Sequence, residues 1–294
     1  MHTSLALIME LKNYISGEKF QALADVSVIP IGRGNGESEC DFVIQQQINN
    51  NYTVFYYDEN VVEIPDFVQN AKTIFVNTWT LDKFFDKIFP LLKNEYVFIS
   101  HNSDLGINEH HKTFLDSPKV KKWYTQNMYI AHPKLHSIPI GLANSQWPHG
   151  NVELIDTINR EQNKKEFLVY KNFDCNTNLA ERSLCDLATT HNGIPKSMHT
   201  SNEQYWRTIS KSVFIISPPG NGVDCHRIWE CLYLNAVPIV KNNVAFSQFK
   251  HLPILWVDSW EEVTIPFLKS KITTQDNVDI NELNIKFWNH KIKA

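Results

Sequence analysis

The stretch SVFIISPPGNGVDCHRIWECLYLNAVPIV, residues Ser212 to Val240, decides how this chain is read. Val213 to Ile216 form a continuous apolar run that Pro218-Pro219 stops, the pattern of a strand buried on both faces. Gly220-Asn221-Gly222 turns the chain, and Asp224 is placed to cap the helix that follows. Ile228 and Leu232, with Cys225 and Asn235, mark the side of that helix that is expected to meet the sheet. Val-Pro-Ile-Val at 237–240 then returns as the neighbouring strand, which completes a right-handed βαβ crossover. Ligands of such sheets bind at the carboxyl ends of the strands, and Ser217, Gly220, Asn221 and Gly222 occupy that end.

Working outward, further apolar runs bounded by turn residues recur at DVSVIPIG, YTVFYYDEN, KTIFVNTW, EYVFISHN, MYIAHPKLHSIPIG, EFLVYKNF and PILWVD. Helical patterns lie between several of them. TLDKFFDKIFPLLKN carries an apolar stripe at Leu81, Phe84, Phe85, Ile88 and Leu92, and Pro90 should distort its last turn. LAERSLCDLATTHNG ends in a glycine at the expected stop, and SNEQYWRTISKS opens with a Ser-x-x-Gln capping pattern. Strands alternating with helices predict an α/β fold of parallel sheets covered on both faces. The seam falls in ANSQWPHGNVELIDTINREQNKKEF, where turn residues precede a charged helical stretch. The expected organisation is two Rossmann-like domains facing each other across a cleft, 1–150 and 151–277, with a final helix over about 278–294 that can pack back on the first.

The chain has 294 residues, enough for two ordinary cores, and 43% apolar residues with 17 Phe and 8 Trp to fill them. A net charge of −4 gives no basic field, so nucleic acid is not expected as a partner and an anionic ligand must be met locally. Five scattered cysteines without a C-x-x-C pair argue against a disulfide framework or a zinc site and suit a reducing compartment. SLALIMEL is too short for a membrane span and reads as a helix, so no span is expected and the location is read as cytoplasmic, as in a microbial or viral enzyme.

A glycine turn feeding a helix N-terminus offers N–H groups and the positive end of the helix dipole to an anion. Arg227 would add a fixed cation for a diphosphate, and Glu230 could accept both hydroxyls of a ribose. His226, Arg227 and Glu230 can share one edge of the helix. The plain alternative is a capped helix whose Arg227–Glu230 pair is a surface ion pair. A dinucleotide oxidoreductase does not fit, because PGNGVD lacks the G-x-G-x-x-G spacing and no acidic residue follows VPIVKNN.

SPPGNGVDCHRIWECLYLNAVPIV resembles the signature of exostosin-like glycosyltransferases, and more distantly the donor site of fucosyltransferases. The likeness is most specific over Tyr205 to Trp260 and weaker over Tyr96 to Gly150. It implies a GT-B architecture, a donor on the C-terminal domain, inversion at the anomeric carbon and no metal or other cofactor. The implied partners are a nucleotide sugar, read as a UDP-sugar, and an oligosaccharide or glycan acceptor. Asn235-Ala236 departs from the family's Ala-Gly or Cys-Gly before the returning strand, and no luminal stem or membrane anchor of the family is expected from these residues.

Without a metal, the leaving diphosphate must be met by a helix terminus and cations. Arg227 is the first choice, with Arg182 and Lys171 next, because VYKNFDCNTNLAER resembles the family's strand–loop–helix over the phosphates; ordinary surface charges are the alternative. Neither YYDEN nor DNVD makes a good Asp-x-Asp metal site. For the base, FISHNSD puts His101 and Asp104 just past a strand, and Asp104 is preferred, with Asp58 and Glu59 as rivals. HNSD can equally be a turn whose Asn and Ser cap the next segment. Trp123, Tyr124, Trp147 and His149 could stack on acceptor sugars or be buried core. Two functions remain open: an inverting transferase, or a non-catalytic nucleotide-sugar or glycan-binding module of the same fold.

Overall fold

The computed structural model describes residues 9–31, 53–198, 200–272 and 280–294. It holds two all-parallel sheets, the α/β class that the sequence predicts. Strands β1 (Val26–Pro30), β2 (Thr53–Tyr57), β3 (Thr73–Asn77), β4 (Tyr96–His101), β5 (Val120–Thr125) and β6 (Leu135–Ser137) pair in the order β2-β1-β3-β4-β5-β6. Strands β7 (Phe167–Tyr170), β8 (Ser212–Ile216), β9 (Val237–Lys241) and β10 (Leu255–Val257) pair as β10-β9-β8-β7. Every apolar run named above contains one strand. All six residues of β4 are buried, as continuous apolar runs require when both faces of a sheet are covered. SLALIMEL up to residue 8, Cys40 and DNVD lie outside the described residues.

Strand β5 is the one that the sequence reading did not find. Lys121 and Lys122 break its apolar run, and only Trp123, Tyr124 and Thr125 continue it into the sheet. That placement corrects two expectations. Trp123 is 1% exposed, donates its indole N–H to Ser100 Oγ at 2.9 Å and packs its ring on Phe85. Tyr124, also buried, donates its hydroxyl to the Lys291 carbonyl at 3.0 Å. Successive strand residues face opposite sides, so in a doubly covered sheet both aromatics become core. Neither can stack on a sugar.

Contacts divide the chain into two compact units. One combines the residues up to Tyr14 with Gly141–Leu283 and holds β7 to β10; the other combines Ile15–Ile140 with Asn284–Ala294 and holds β1 to β6. In the first, Tyr14 donates its hydroxyl to Asp156 at 2.7 Å, and its ring lies 4.6 Å from that of Tyr233. Its core gathers Phe173, Cys185, Phe214, Ile239, Val257 and Trp260. In the second, the Ile285–Lys293 helix buries Trp288, whose ring meets Phe20 edge-on at 5.7 Å.

Local signals resolve as their chemistry demands. The Leu81–Lys87 helix gives way to a 3-10 turn, Phe89–Leu91, at Pro90. Ser201 caps the Asn202–Ser210 helix by accepting the Gln204 N–H. The Leu179–His191 helix closes at Gly193, φ +81°, with the Gly193 and Ile194 N–H groups returning to the Thr190 and Thr189 carbonyls. A Cβ at Gly193 would meet nothing within 4 Å, so Gly193→Ala isolates the backbone penalty of the left-handed conformation. The expected loss is about 1 kcal/mol of unfolding free energy, read by urea titration.

No helix among the described residues is long and apolar enough to cross a membrane.

Candidate functional site

The segment after β8 leads into a helix, His226–Tyr233, with Cys225 at its N-cap, whose side chain makes no capping hydrogen bond. Cys225, not Asp224, is the N-cap residue, contrary to the expectation from sequence. The buried Asp224 carboxylate accepts the Trp229 indole N–H at 2.9 and 3.0 Å, one turn further in. Gly220 and Gly222 both keep negative φ, so left-handed backbone is not the reason for glycine here. At Gly220 the reason is space: a Cβ would stand 3.2 Å from Arg182 Nη2. Asn235 lies beyond the helix rather than on its buried side. It holds φ +54° while the Ala236 N–H returns to the Cys231 carbonyl, so an asparagine does the work of a C-terminal glycine.

The first turn of this helix forms one side of a cavity of about 250 Å³ within the Gly141–Leu283 unit. Cys225, His226, Arg227 and Glu230 line it from the helix, Arg182 from the Leu179–His191 helix, and Asn202, Tyr205 and Trp206 from the Asn202–Ser210 helix; His149 completes the wall.

Two guanidiniums are built into this wall. Arg182 donates Nε–H to the Pro219 carbonyl and Nη1–H to the Asp174 carbonyl, both at 2.8 Å. Arg227 donates Nε–H to the Tyr205 hydroxyl at 2.9 Å and Nη2–H to the Asn172 carbonyl at 2.8 Å. Arg182 Nη2 and Arg227 Nη1 have no hydrogen-bond partner among the described residues. Burial, and then the neighbouring Arg227, lower the Arg182 pKa from its ordinary value. Burial also opposes the Arg227 cation, but Tyr205, Cys225 and Glu230 outweigh it and its pKa is raised. The cavity wall thus carries two guanidiniums, each of which feels the other's charge or burial and is well placed to gain from an anion.

Glu230 is 5% exposed, and burial raises its pKa. The Tyr205 hydroxyl donates to Oε2 at 3.3 Å, and the Trp206 indole N–H faces the same carboxylate without closing a hydrogen bond. Arg227 and Glu230 make no ion pair with each other, which removes the plain reading of a surface salt bridge. Glu230→Ala should therefore weaken a hydroxyl-bearing ligand about tenfold, measured by titration calorimetry with UDP. Because its pKa is raised, affinity that depends on its carboxylate should fall with acidification at a higher pH than an ordinary glutamate would give. His226 donates Nδ1–H to the Gly141 carbonyl at 2.8 Å, a bond that sets its tautomer. Its ring lies 6.0 Å from that of His149, which in turn stacks at 6.4 Å on the 43% exposed Trp147.

The structure thus gathers Arg182, His226, Arg227 and Glu230 in one cavity, with Cys225 and His149. It does not bring Lys171, Ser217, Gly220, Asn221, Gly222 or Asp224 into its wall. Lys171 is buried in its own cluster, 2.9 Å from Asp186 and bonded to Thr189 Oγ1 (3.1 Å) and Thr190 Oγ1 (2.7 Å), so its ammonium is a structural cation. Ser217 turns its hydroxyl back onto the Ile215 carbonyl. Tyr205, Trp206 and Asn202 were not singled out from sequence. Their helix was read only for its cap, although two adjacent aromatics with polar tips were the available signal.

The two candidate bases belong to the other unit. His101 is 1% exposed, accepts the Asn102 N–H at Nδ1 (2.7 Å) and lies 3.1 Å from the Pro139 carbonyl through Nε2. Both ring nitrogens are thereby spent, which removes it as a base. Asp104 is exposed, in a turn where Ser103 Oγ accepts the Leu105 N–H, as the capping alternative foresaw. Asp58 caps Asn60 N–H at 2.8 Å, and Glu59 pairs with Lys83 at 3.1 Å. Among the described residues, no group of three or more His, Cys, Asp or Glu side chains could hold a metal ion.

The chain is thus an α/β protein with two Rossmann-like parallel sheets, one of them in the unit that carries an arginine-lined cavity beside a helix N-terminus. Residues 152–294, just under half of the chain, match the family model described as the RXYLT1 C-terminal domain, a span that holds every cavity residue but His149. The match supports a glycosyltransferase family, not the exostosin-like family in particular. No curated protein matches the chain.

Proposed function

We propose that the protein is an inverting, metal-independent glycosyltransferase of the exostosin-like kind that takes a UDP-sugar donor and a glycan acceptor. The observation that carries this reading is the pair of guanidiniums with unspent N–H groups beside a buried glutamate in one cavity. Arg182 and Arg227 would hold the diphosphate and absorb the charge that develops on it as the glycosidic bond breaks. Glu230 would accept the ribose hydroxyls. Asp104 would take the acceptor hydroxyl's proton, and Trp147 with His149 would offer a stacked surface to a sugar ring. The family match favours UDP-xylose as the first donor to try, since RXYLT1 is a xylosyltransferase family. The free cysteines Cys175, Cys185, Cys225 and Cys231 suit the cytoplasm.

A thermal-shift panel of nucleotide sugars, run in EDTA and again with Mn²⁺, tests the donor. Stabilisation by one UDP-sugar, unchanged by EDTA, is the expected result; stabilisation that needs Mn²⁺ would overturn the metal-free mechanism. The non-catalytic module is favoured by one observation, the loss of His101 as a base. It would bind UDP and neither transfer nor hydrolyse the sugar.

A further inference from the structure

We propose that Tyr205 is a positioning residue of this cavity: its hydroxyl stands between Arg227 and Glu230, keeps them from pairing with each other and so holds both towards one ligand. The inference rests on the donor-site reading above and adds to it a residue that neither the motif nor the family match assigns.

Arg227 and Glu230 sit three residues apart on one helix, the spacing at which opposite charges ordinarily join. Here the Tyr205 oxygen accepts Arg227 Nε–H at 2.9 Å, so its own single proton is left for Glu230 Oε2 at 3.3 Å. Guanidinium has no acceptor and carboxylate no donor, and a hydroxyl is the small group that can serve both at once. The guanidinium is fixed from its other side by the Asn172 carbonyl, and it lies over the Tyr205 ring at 5.7 Å and the Phe173 ring at 6.0 Å. A direct bidentate pair would spend two guanidinium N–H groups and both carboxylate oxygens on each other. The wedge spends one of each and leaves Arg227 Nη1 and Glu230 Oε1 for the cavity. That arrangement suits a ligand with an anionic group and hydroxyls a few ångströms apart, which is the chemistry of a nucleoside diphosphate.

Several titratable groups surround Glu230, and the Glu230→Gln background separates its contribution from theirs. On its own helix and N-cap they are Cys225, His226, Arg227 and Cys231, with Lys165 beside Cys231; Tyr205 faces it from the Asn202–Ser210 helix, and Arg182 and His149 line the same cavity. Asp156, on the Val152–Arg160 helix, is committed to Tyr14 and Arg160.

The test is a double-mutant cycle read by calorimetric titration with UDP in EDTA. Tyr205→Phe should weaken UDP about tenfold in the wild-type background and less than about twofold in a Glu230→Gln background. An equal factor in both backgrounds would overturn the proposal, because a ring that merely packs acts independently of the carboxylate. A second readout needs no ligand. A buried glutamate of raised pKa costs nothing while protonated and destabilises the fold as pH rises through that pKa. Losing the Tyr205 hydrogen bond enlarges that cost, so the Tm gap between Tyr205→Phe and wild type should widen as pH rises above the ordinary glutamate range and stay flat in the Glu230→Gln background. A gap independent of pH would overturn the wedge. If wild type failed to bind UDP, the donor reading would fall, and this second readout would still decide the role of Tyr205.

Discussion

Arg227→Ala is expected to slow sugar transfer about 10²- to 10³-fold while changing UDP-sugar affinity less than about tenfold. The asymmetry follows from where the charge goes. In the proposed ground state a diphosphate would already meet Arg182 and the N-terminal turn of the His226–Tyr233 helix, so one cation fewer would be a modest loss. As the bond to the sugar breaks, further negative charge would collect on the leaving oxygen, and the partly buried Arg227 guanidinium would act where water cannot substitute for it. Steady-state kinetics with the best donor of the panel, beside circular dichroism to confirm the fold, separate kcat from KM. A variant with wild-type kcat would remove Arg227 from the chemistry.

Asp104→Asn carries the other large effect. If its carboxylate takes the acceptor proton, the isosteric amide should lower transfer about 10²- to 10⁴-fold and leave UDP binding untouched. The Asn127 contact to the neighbouring turn should survive, because Asn127 Nδ2 donates to the Asp104 backbone carbonyl at 3.2 Å, which the substitution leaves in place. Full transfer activity in the variant would exclude Asp104 and return attention to Asp58 and Glu59.

The sequence revealed what periodicity and punctuation encode. Continuous apolar runs located nine strands because a strand covered on both faces has no room for alternation. Ser201, Pro90 and Gly193 announced a cap, a break and a stop, each for a reason that lies within a few residues. What stayed hidden depends on distant partners. Trp123 and Tyr124 offer the same side chains whether they face a ligand or a core, and only the packing around β5 tells the two apart. Asp224 looked like a cap because aspartate usually is one; the Trp229 indole one turn ahead claimed it instead. Lys171 carries the right charge for a phosphate, yet Asp186 and two threonines surround it. Conversely, the Arg227–Glu230 relation needed Tyr205, whose contribution comes from a helix about twenty residues upstream. Local chemistry is written in the chain, whereas the assignment of polar groups to one another is written in the fold.

The central claim is that the cavity between Arg182, Arg227 and Glu230 binds the nucleoside diphosphate of a sugar donor without metal. Calorimetric titration of UDP into wild type and into Arg182→Ala/Arg227→Ala, both in EDTA, tests it most directly. One site of micromolar affinity in wild type, weakened at least about a hundredfold in the double variant, is the predicted result. Equal binding by both proteins, or none by wild type, would contradict it.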